Sequence, residues 1–142
     1  MAELILEPYS VRLRWQIEPS LTSQKWKAII CKFVETLARR CDEAGKCVIG
    51  HIKGLAMFSG DDYLQVSIIS PERPADVSGA APPGCSELAL TLNVLVYGLP
   101  RDVLERLVRE VVTVPVLGKR GLVSVEPVFA ASSQKPRRIK ES

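Results

Sequence analysis

The sequence has few of the residues that mark a catalytic or nucleotide-binding protein. It contains one histidine, His51, and aromatic residues make up only 6% of it. Its nine glycines form neither a GxGxxG pattern nor a Walker loop, so no backbone cradle for a phosphate is indicated. No apolar run reaches the ~18 residues that a membrane-spanning helix needs. These absences argue against nucleotide hydrolysis and against a membrane-spanning protein.

The folded part of the chain also lacks net charge. The formal charge is +3, and residues 130–142 hold four basic residues and one acidic residue, which account for all of it. The other residues hold 15 of each sign. Nucleic-acid-binding domains usually have a strong positive field, and this sequence predicts none outside the tail.

The length predicts one domain. A chain of 142 residues with 46% hydrophobic residues matches a single globular domain, which we place at residues 1–129, followed by a disordered basic tail at 130–142. The first residues, MAELILEP, have neither a basic start nor a long apolar core, so we expect no signal peptide. We therefore expect a cytoplasmic protein whose four cysteines are reduced.

Two segments alternate apolar and polar residues, as half-buried strands do. In Glu87–Tyr97 every second residue from Leu88 to Val96 is apolar. In Tyr9–Glu18 every second residue from Val11 to Ile17 is apolar. Such a strand has one apolar face for the core and one mixed face for water, a partner or a ligand. The mixed face is where we look for function.

Two segments have helical spacing. Thr22 to Ala44 has apolar residues at i, i+3, i+4 and i+7, with Thr22 or Ser23 as the N-cap and Gly45 at the end. Pro100 begins a second helix, whose apolar stripe runs from Val103 to Val111.

The remaining segments predict a hairpin, a loop and a last strand. Cys47–Phe58 and Tyr63–Ser70 flank a turn that includes Asp61 and Asp62, where aspartate suits a tight turn without any bound ion. In the first arm we assign Val48, with Ile52, to the core face and Ile49 to the other. Residues 71–86 contain four prolines and predict a long flexible loop, and 122–129 predicts the last strand.

The order strand, helix, three strands, helix, strand is an α+β pattern. We predict a two-layer sandwich of the ferredoxin-like type, with a mostly antiparallel sheet of about five strands and two helices packed on one face. This resemblance concerns layout and implies no function.

The open side of that sheet is the predicted partner-binding surface. We expect it to dock a second copy or a protein partner, with the 71–86 loop ordering over it as a lid. A wider set, including Ser67, Thr91 and Ser124, shares this side, with Ile49, Ile69 and Leu95 as its apolar members. The residues chosen for the site are Arg12, Arg14, His51, Lys53, Gln65, Asn93 and Tyr97.

Two other functions stay open. Single-stranded RNA binding through the same face and the basic tail is the first alternative, although Tyr97 and Tyr63 are the only aromatic residues we expect there. A small enzyme using His51 for proton transfer is the second, but no spacing places a carboxylate beside that ring.

We predict no cofactor and no metal site. Cys41, Cys47, His51 and Cys85 are residue types that zinc accepts, but their spacings are weak evidence. Cys41 and Cys47 suit the core as small apolar residues, and Cys85 is expected to be the most exposed thiol.

Overall fold

The computed structural model describes residues 6–112 and the backbone of a strand at residues 122–127. Within these ranges six strands and two helices follow one another along the chain. They are β1 (Tyr9–Leu21), α1 (Ser23–Ala44), β2 (Val48–Met57), β3 (Tyr63–Ile68), β4 (Asp76–Ala80), β5 (Cys85–Tyr97), α2 (Arg101–Val112) and β6 (Leu122–Pro127).

The six strands form one antiparallel sheet in the order β4-β3-β2-β5-β1-β6. The long strands β1 and β5 pair along most of their length, from Tyr9 with Val94 to Gln16 with Glu87. The predicted α+β class with an antiparallel sheet is confirmed, and the sheet has one strand more than the expected five.

The helices begin and end where the sequence predicts. The hydroxyl of Thr22 accepts a hydrogen bond from the Lys25 N–H at 3.2 Å and caps α1, which ends at Gly45. The two helices contact each other, α1 also packs on β2, β3 and β4, and α2 packs on β1. Both helices therefore cover the same face of the sheet and form the second layer of a sandwich.

The core lies between these two layers. The apolar positions of β1 and β5 are buried, as the alternation predicts, and so is the stripe of α1. Trp15 of the sheet meets Phe33 of α1 edge to face, with ring centroids 5.1 Å apart. Trp26 is fully buried, and its Nε1–H donates to the Cys85 carbonyl at 2.7 Å, so its one polar group is satisfied. Neither of the two helices is both long and apolar enough to cross a membrane.

Residues 71–86 differ from the prediction, because they contain the edge strand β4. Its residues pair with β3, from Tyr63 with Ala80 to Ser67 with Asp76. The segment is also bonded to α1, since the Ala75 N–H donates to the Glu35 carboxylate at 2.9 Å and the Ala81 N–H to the Ser23 hydroxyl at 3.3 Å. These long-range contacts compensate for a sequence with no strand pattern of its own.

The start of β2 also differs, because its pairing with β5 shifts at Gly50. Val48 pairs with Tyr97 and Ile49 with Val96, but the next pair is His51 with Leu95. One extra residue reverses the alternation. Ile49 therefore packs against the core and Val48 is 55% exposed, the opposite of the prediction.

Other predictions fall on residues outside the described ranges. The basic tail at 130–142 and the end of the predicted last strand lie there. Within the described part of that strand, Val123 pairs with Trp15 and Val125 with Leu13.

Candidate binding face

The side of the sheet that the helices leave uncovered is here called the open face. Cross-strand partners lie on the same face of a sheet, so the register divides the open face into rows across the strands. Three rows cover its centre. They run from β4 to β1 as Asp76-Ser67-Lys53-Asn93-Ser10, Ser78-Gln65-Leu55-Thr91-Arg12 and Ala80-Tyr63-Met57-Ala89-Arg14.

The first row is polar throughout. The Ser10 hydroxyl donates to Asn93 Oδ1 at 2.5 Å, which fixes the orientation of the amide on the exposed sheet. Lys53 lies beside Asn93 and has no ion pair with any described residue. Its ammonium group and the NH2 group of the Asn93 amide therefore remain free to bond a partner's polar groups.

The open face also holds the apolar side chains that the described part of the chain leaves exposed. Five of the six large ones lie on it by register, and the sixth, Ile69, directly follows β3. The five are Val48, Leu55, Met57, Tyr63 and Tyr97. Leu55, Met57 and Tyr63 are neighbours in adjacent rows, so they form one patch at the centre of the face. Exposed apolar groups in contact with one another mark interaction surfaces, whereas scattered ones do not.

The outer side of the helices is different in character. Arg109 of α2 pairs with Glu105 at 3.5 Å, and Arg40 of α1 pairs with Glu110 at 3.5 Å. These paired charges are solvated and have no large exposed apolar neighbour in the described chain. The sandwich therefore has one charged side and one side on which apolar and polar groups mix.

Two adjoining hollows lie on the open face. A cavity of about 540 Å³ spans β4, β3, β2 and β5, and its walls include Lys53, Gln65, Asp76 and Asn93. A smaller hollow of about 180 Å³ adjoins it beside His51 and is bounded by Tyr9 and Ser10. Lys53 and Asn93 line both. These two side chains therefore lie where the two hollows meet.

All seven side chains of the predicted site lie on the open face by register, in three groups. Lys53, Gln65 and Asn93 line the larger cavity, and His51 joins Lys53 and Asn93 around the smaller one. Arg12 and Arg14 lie on β1, beside Thr91 and Ala89 of β5. Tyr97 lies apart, at the end of β5 beside Val48.

Several members of the face were not among the chosen residues. Leu55 and Met57 share the alternation that places Lys53 there, so the sequence pattern includes them, although apolar residues in a strand indicate a core more often than a site. Asp76 and Ser78 belong to β4, which no sequence pattern indicated. Ile49, predicted on this face, lies on the other because of the shift at Gly50.

The predicted lid is not found over the face. The 71–86 segment runs along the sheet edge and bonds to Glu35 and Ser23 of α1, on the helix side. Asp76 and Ser78 still form one wall of the larger cavity, because their strand continues the sheet. The segment therefore widens the open face and does not cover it.

His51 is half-buried at the rim of the smaller hollow, and its imidazole ring makes no hydrogen bond with another described residue. A general base needs a neighbour that orients its ring, and none is in place here. Tyr9 also borders the hollow, but it pairs with the buried Val94, so its side chain lies on the helix side of the sheet. The geometry of this hollow does not favour proton transfer over simple binding.

The cysteines are separate from the open face. Cys41 is buried in α1, and the Cys47 thiol donates to the Cys41 carbonyl at 3.3 Å. Cys85 is half-buried against the core, and its thiol donates to the Glu87 carbonyl at 3.1 Å. Within the described ranges, no three histidine, cysteine, aspartate or glutamate side chains are grouped as metal ligands.

Comparisons of the chain with protein-family models, with curated proteins and with solved structures gave no significant match. The geometry of the open face is therefore the basis for a function.

Proposed function

We propose that the protein is a small cytoplasmic binding module without catalytic activity, whose open face docks a protein surface, either a second copy or a different partner. The observation that carries the proposal is the placement of the exposed apolar side chains. In the described part of the chain, the large ones lie on the open face or directly beside it.

The composition of the face suits a protein partner. Its centre combines the apolar patch of Leu55, Met57 and Tyr63 with neutral polar groups. On the three strands β3, β2 and β5, Lys53 is the one charged residue in the two rows that line the larger cavity. Protein interfaces have this arrangement, with few charges at the centre and aromatic residues and methionine enriched. Burying the exposed part of each large side chain stabilises a complex by up to ~1–2 kcal/mol.

We further propose that the layout is ferredoxin-like with an added hairpin. The strand β5 lies between β1 and β2, and β1 lies between β5 and β6. Each strand-helix-strand unit is thus split by a strand of the other, as in the split βαβ arrangement. Strands β3 and β4 extend this sheet beyond β2 and enlarge the open face.

The docking proposal is tested by photo-cross-linking in the cells that express the protein. A photoreactive phenylalanine analogue at Tyr97 samples the open face, and the same analogue at Arg106 samples the outer side of α2. We expect a discrete cross-linked product from position 97 and none from position 106. Adding Asn93→Arg, which places a bulky charge at the centre of the face, should remove the product while the circular dichroism spectrum is unchanged.

A product that survives Asn93→Arg, or equal products from both positions, would refute docking through the open face. Mass spectrometry of the product distinguishes its occupants, since a second copy, another protein and RNA have different cross-link masses.

Single-stranded RNA is the second candidate, because Tyr63, Tyr97 and the basic Arg12, Arg14 and Lys53 share the face. The two rings are separated by about 27 Å along β5, if a strand rises ~3.4 Å per residue. Successive bases therefore cannot stack on both, and RNA fits the face less well than protein. RNA binding would weaken steeply with salt, and removing residues 130–142 would flatten that dependence.

A further inference from the structure

We infer that the occupant of the open face is a second copy of this chain, related by a two-fold axis that runs parallel to the strands between β2 and β5. This inference depends on the proposed docking function and adds the identity and geometry of the partner. It follows from the register of the sheet and from the positions of the charges on it.

The axis is defined by the strand order. Six strands in the order β4-β3-β2-β5-β1-β6 have their midline between β2 and β5. When a second sheet is turned face to face about that midline, β2 lies over β5 of the other subunit and β3 lies over β1. Each row then lies over the same row of the second copy, apart from the ~30° rotation that sheet twist introduces.

The side chains that meet across this axis are complementary. Lys53 lies opposite Asn93 of the partner subunit, so an ammonium group meets an amide oxygen. Leu55 meets Thr91 of the partner subunit, and Met57 meets Ala89 of the partner subunit, a large side chain against a small one. Farther out, Arg14 lies opposite Tyr63 of the partner subunit, where a guanidinium group can stack on a phenol ring.

An axis perpendicular to the strands gives a poorer fit. With Leu55 at its centre, each strand would lie over its own copy, and Arg12 would meet Arg12 of the partner subunit. Two like charges held together in a desolvated interface disfavour that complex. With the axis parallel to the strands, no two like charges lie directly opposite each other in the three rows. The two Lys53 side chains then lie one strand apart, each opposite an Asn93, so the positions of the charges favour that axis.

The face is large enough for a stable dimer. Six strands ~4.8 Å apart span about 24 Å, and the ten residues of β2 extend about 33 Å. A surface of those dimensions covers roughly 800 Å² per subunit, which is the standard size of a specific interface.

The test uses two variants that each place one charge at the centre of the face. Leu55→Glu and Thr91→Lys lie on different strands, and each places its charge opposite an uncharged residue of the partner subunit in its own homodimer. Wild-type protein at ~100 µM should be a dimer in native mass spectrometry, and each variant alone should be a monomer. Because residue 55 meets residue 91 across the axis, an equal mixture of the two should form a one-to-one dimer. Glu43→Lys, on the solvent side of α1, is the control that should remain dimeric.

The outcomes separate this inference from the docking proposal. If the variants are monomeric alone and also when mixed, the axis is wrong and docking through the open face stands. If both variants stay dimeric, association occurs elsewhere and both are wrong. A wild-type monomer, or a complex with RNA or another protein, overturns the second copy, and photo-cross-linking then decides whether the open face docks that other partner.

Discussion

Gly60 and Gly79 both have a backbone that other residues rarely adopt, with φ of +91° and +96°. They differ in their surroundings. A Cβ at position 60 would meet nothing within 4 Å, whereas a Cβ at position 79 would lie 2.3 Å from the Tyr63 carbonyl oxygen. Gly79 therefore allows β4 to approach β3, and Gly60 only allows the hairpin turn.

We predict that Gly60→Ala lowers the free energy of unfolding by about 1 kcal/mol, the cost of positive φ for a residue with a Cβ. Gly79→Ala adds a backbone clash to the same cost, so we expect its free energy of unfolding to fall by at least about twice as much. Urea denaturation of both variants measures the difference. Equal losses would mean that β4 does not pack against β3 as described.

Cys41 has the most strongly shifted pKa among the thiols of the described chain. Burial, and second the neighbouring Cys47, raise its pKa to about 12 from the ordinary 9.0. The folded protein binds the proton of this thiol more tightly than the unfolded chain does. The shift therefore adds to the free energy of unfolding, and this added stability is complete below about pH 9. It is lost as the pH rises toward about 12.

We therefore predict that the stability of the wild type relative to Cys41→Ala falls between pH 9 and pH 11. The slope of this difference should reach up to about 1.4 kcal/mol per pH unit, which corresponds to one proton. Urea denaturation of both proteins across this range gives the value, since the other titrating groups are common to both. A difference that does not change with pH would contradict the buried position of Cys41.

At the scale of elements, β4 depends on α1 for its position. The Glu35 carboxylate accepts from the Ala75 N–H and the Ser23 hydroxyl accepts from the Ala81 N–H, one at each end of the strand. Both bonds satisfy backbone donors at a sheet edge that would otherwise be open to another chain. The helix layer thus fixes the strand that forms one wall of the larger cavity.

We predict that Glu35→Ala speeds amide hydrogen exchange in β4, by up to about tenfold for a bond of roughly 1.4 kcal/mol. The amides of β1 and β5 should exchange as before. Glu43→Ala, at an exposed position of the same helix, is the matched control and should have no effect on β4. Uniformly faster exchange over the whole sheet would show that Glu35 stabilises the fold and not this edge.

Elements with a regular period could be predicted from the sequence, and those fixed by distant contacts could not. Tyr9–Glu18, Glu87–Tyr97 and Thr22–Ala44 each carry a local pattern, and the structure has β1, β5 and α1 there. The strand β4 carries none, because pairing with β3 and bonds to α1 determine it. The shift at Gly50 could not be predicted either, because a glycine in a strand can mark a bulge, a bend or the close approach of another backbone.

At the scale of the whole molecule, the sandwich separates a charged helix side from a mixed sheet side. The alternation of β1, β2, β3 and β5 was enough to assign the seven predicted residues to one face. It could not show which of them lie close together, because that depends on strand order. Lys53 and Asn93 lie side by side because β2 and β5 are neighbours in the sheet.

Sedimentation equilibrium of the wild type and of Asn93→Arg measures self-association through the open face. We expect the wild type to have twice the chain mass of 15.6 kDa, and the variant to have the mass of one chain with an unchanged fold. A wild type of one chain mass, or a variant that remains a dimer, would contradict self-association through the open face.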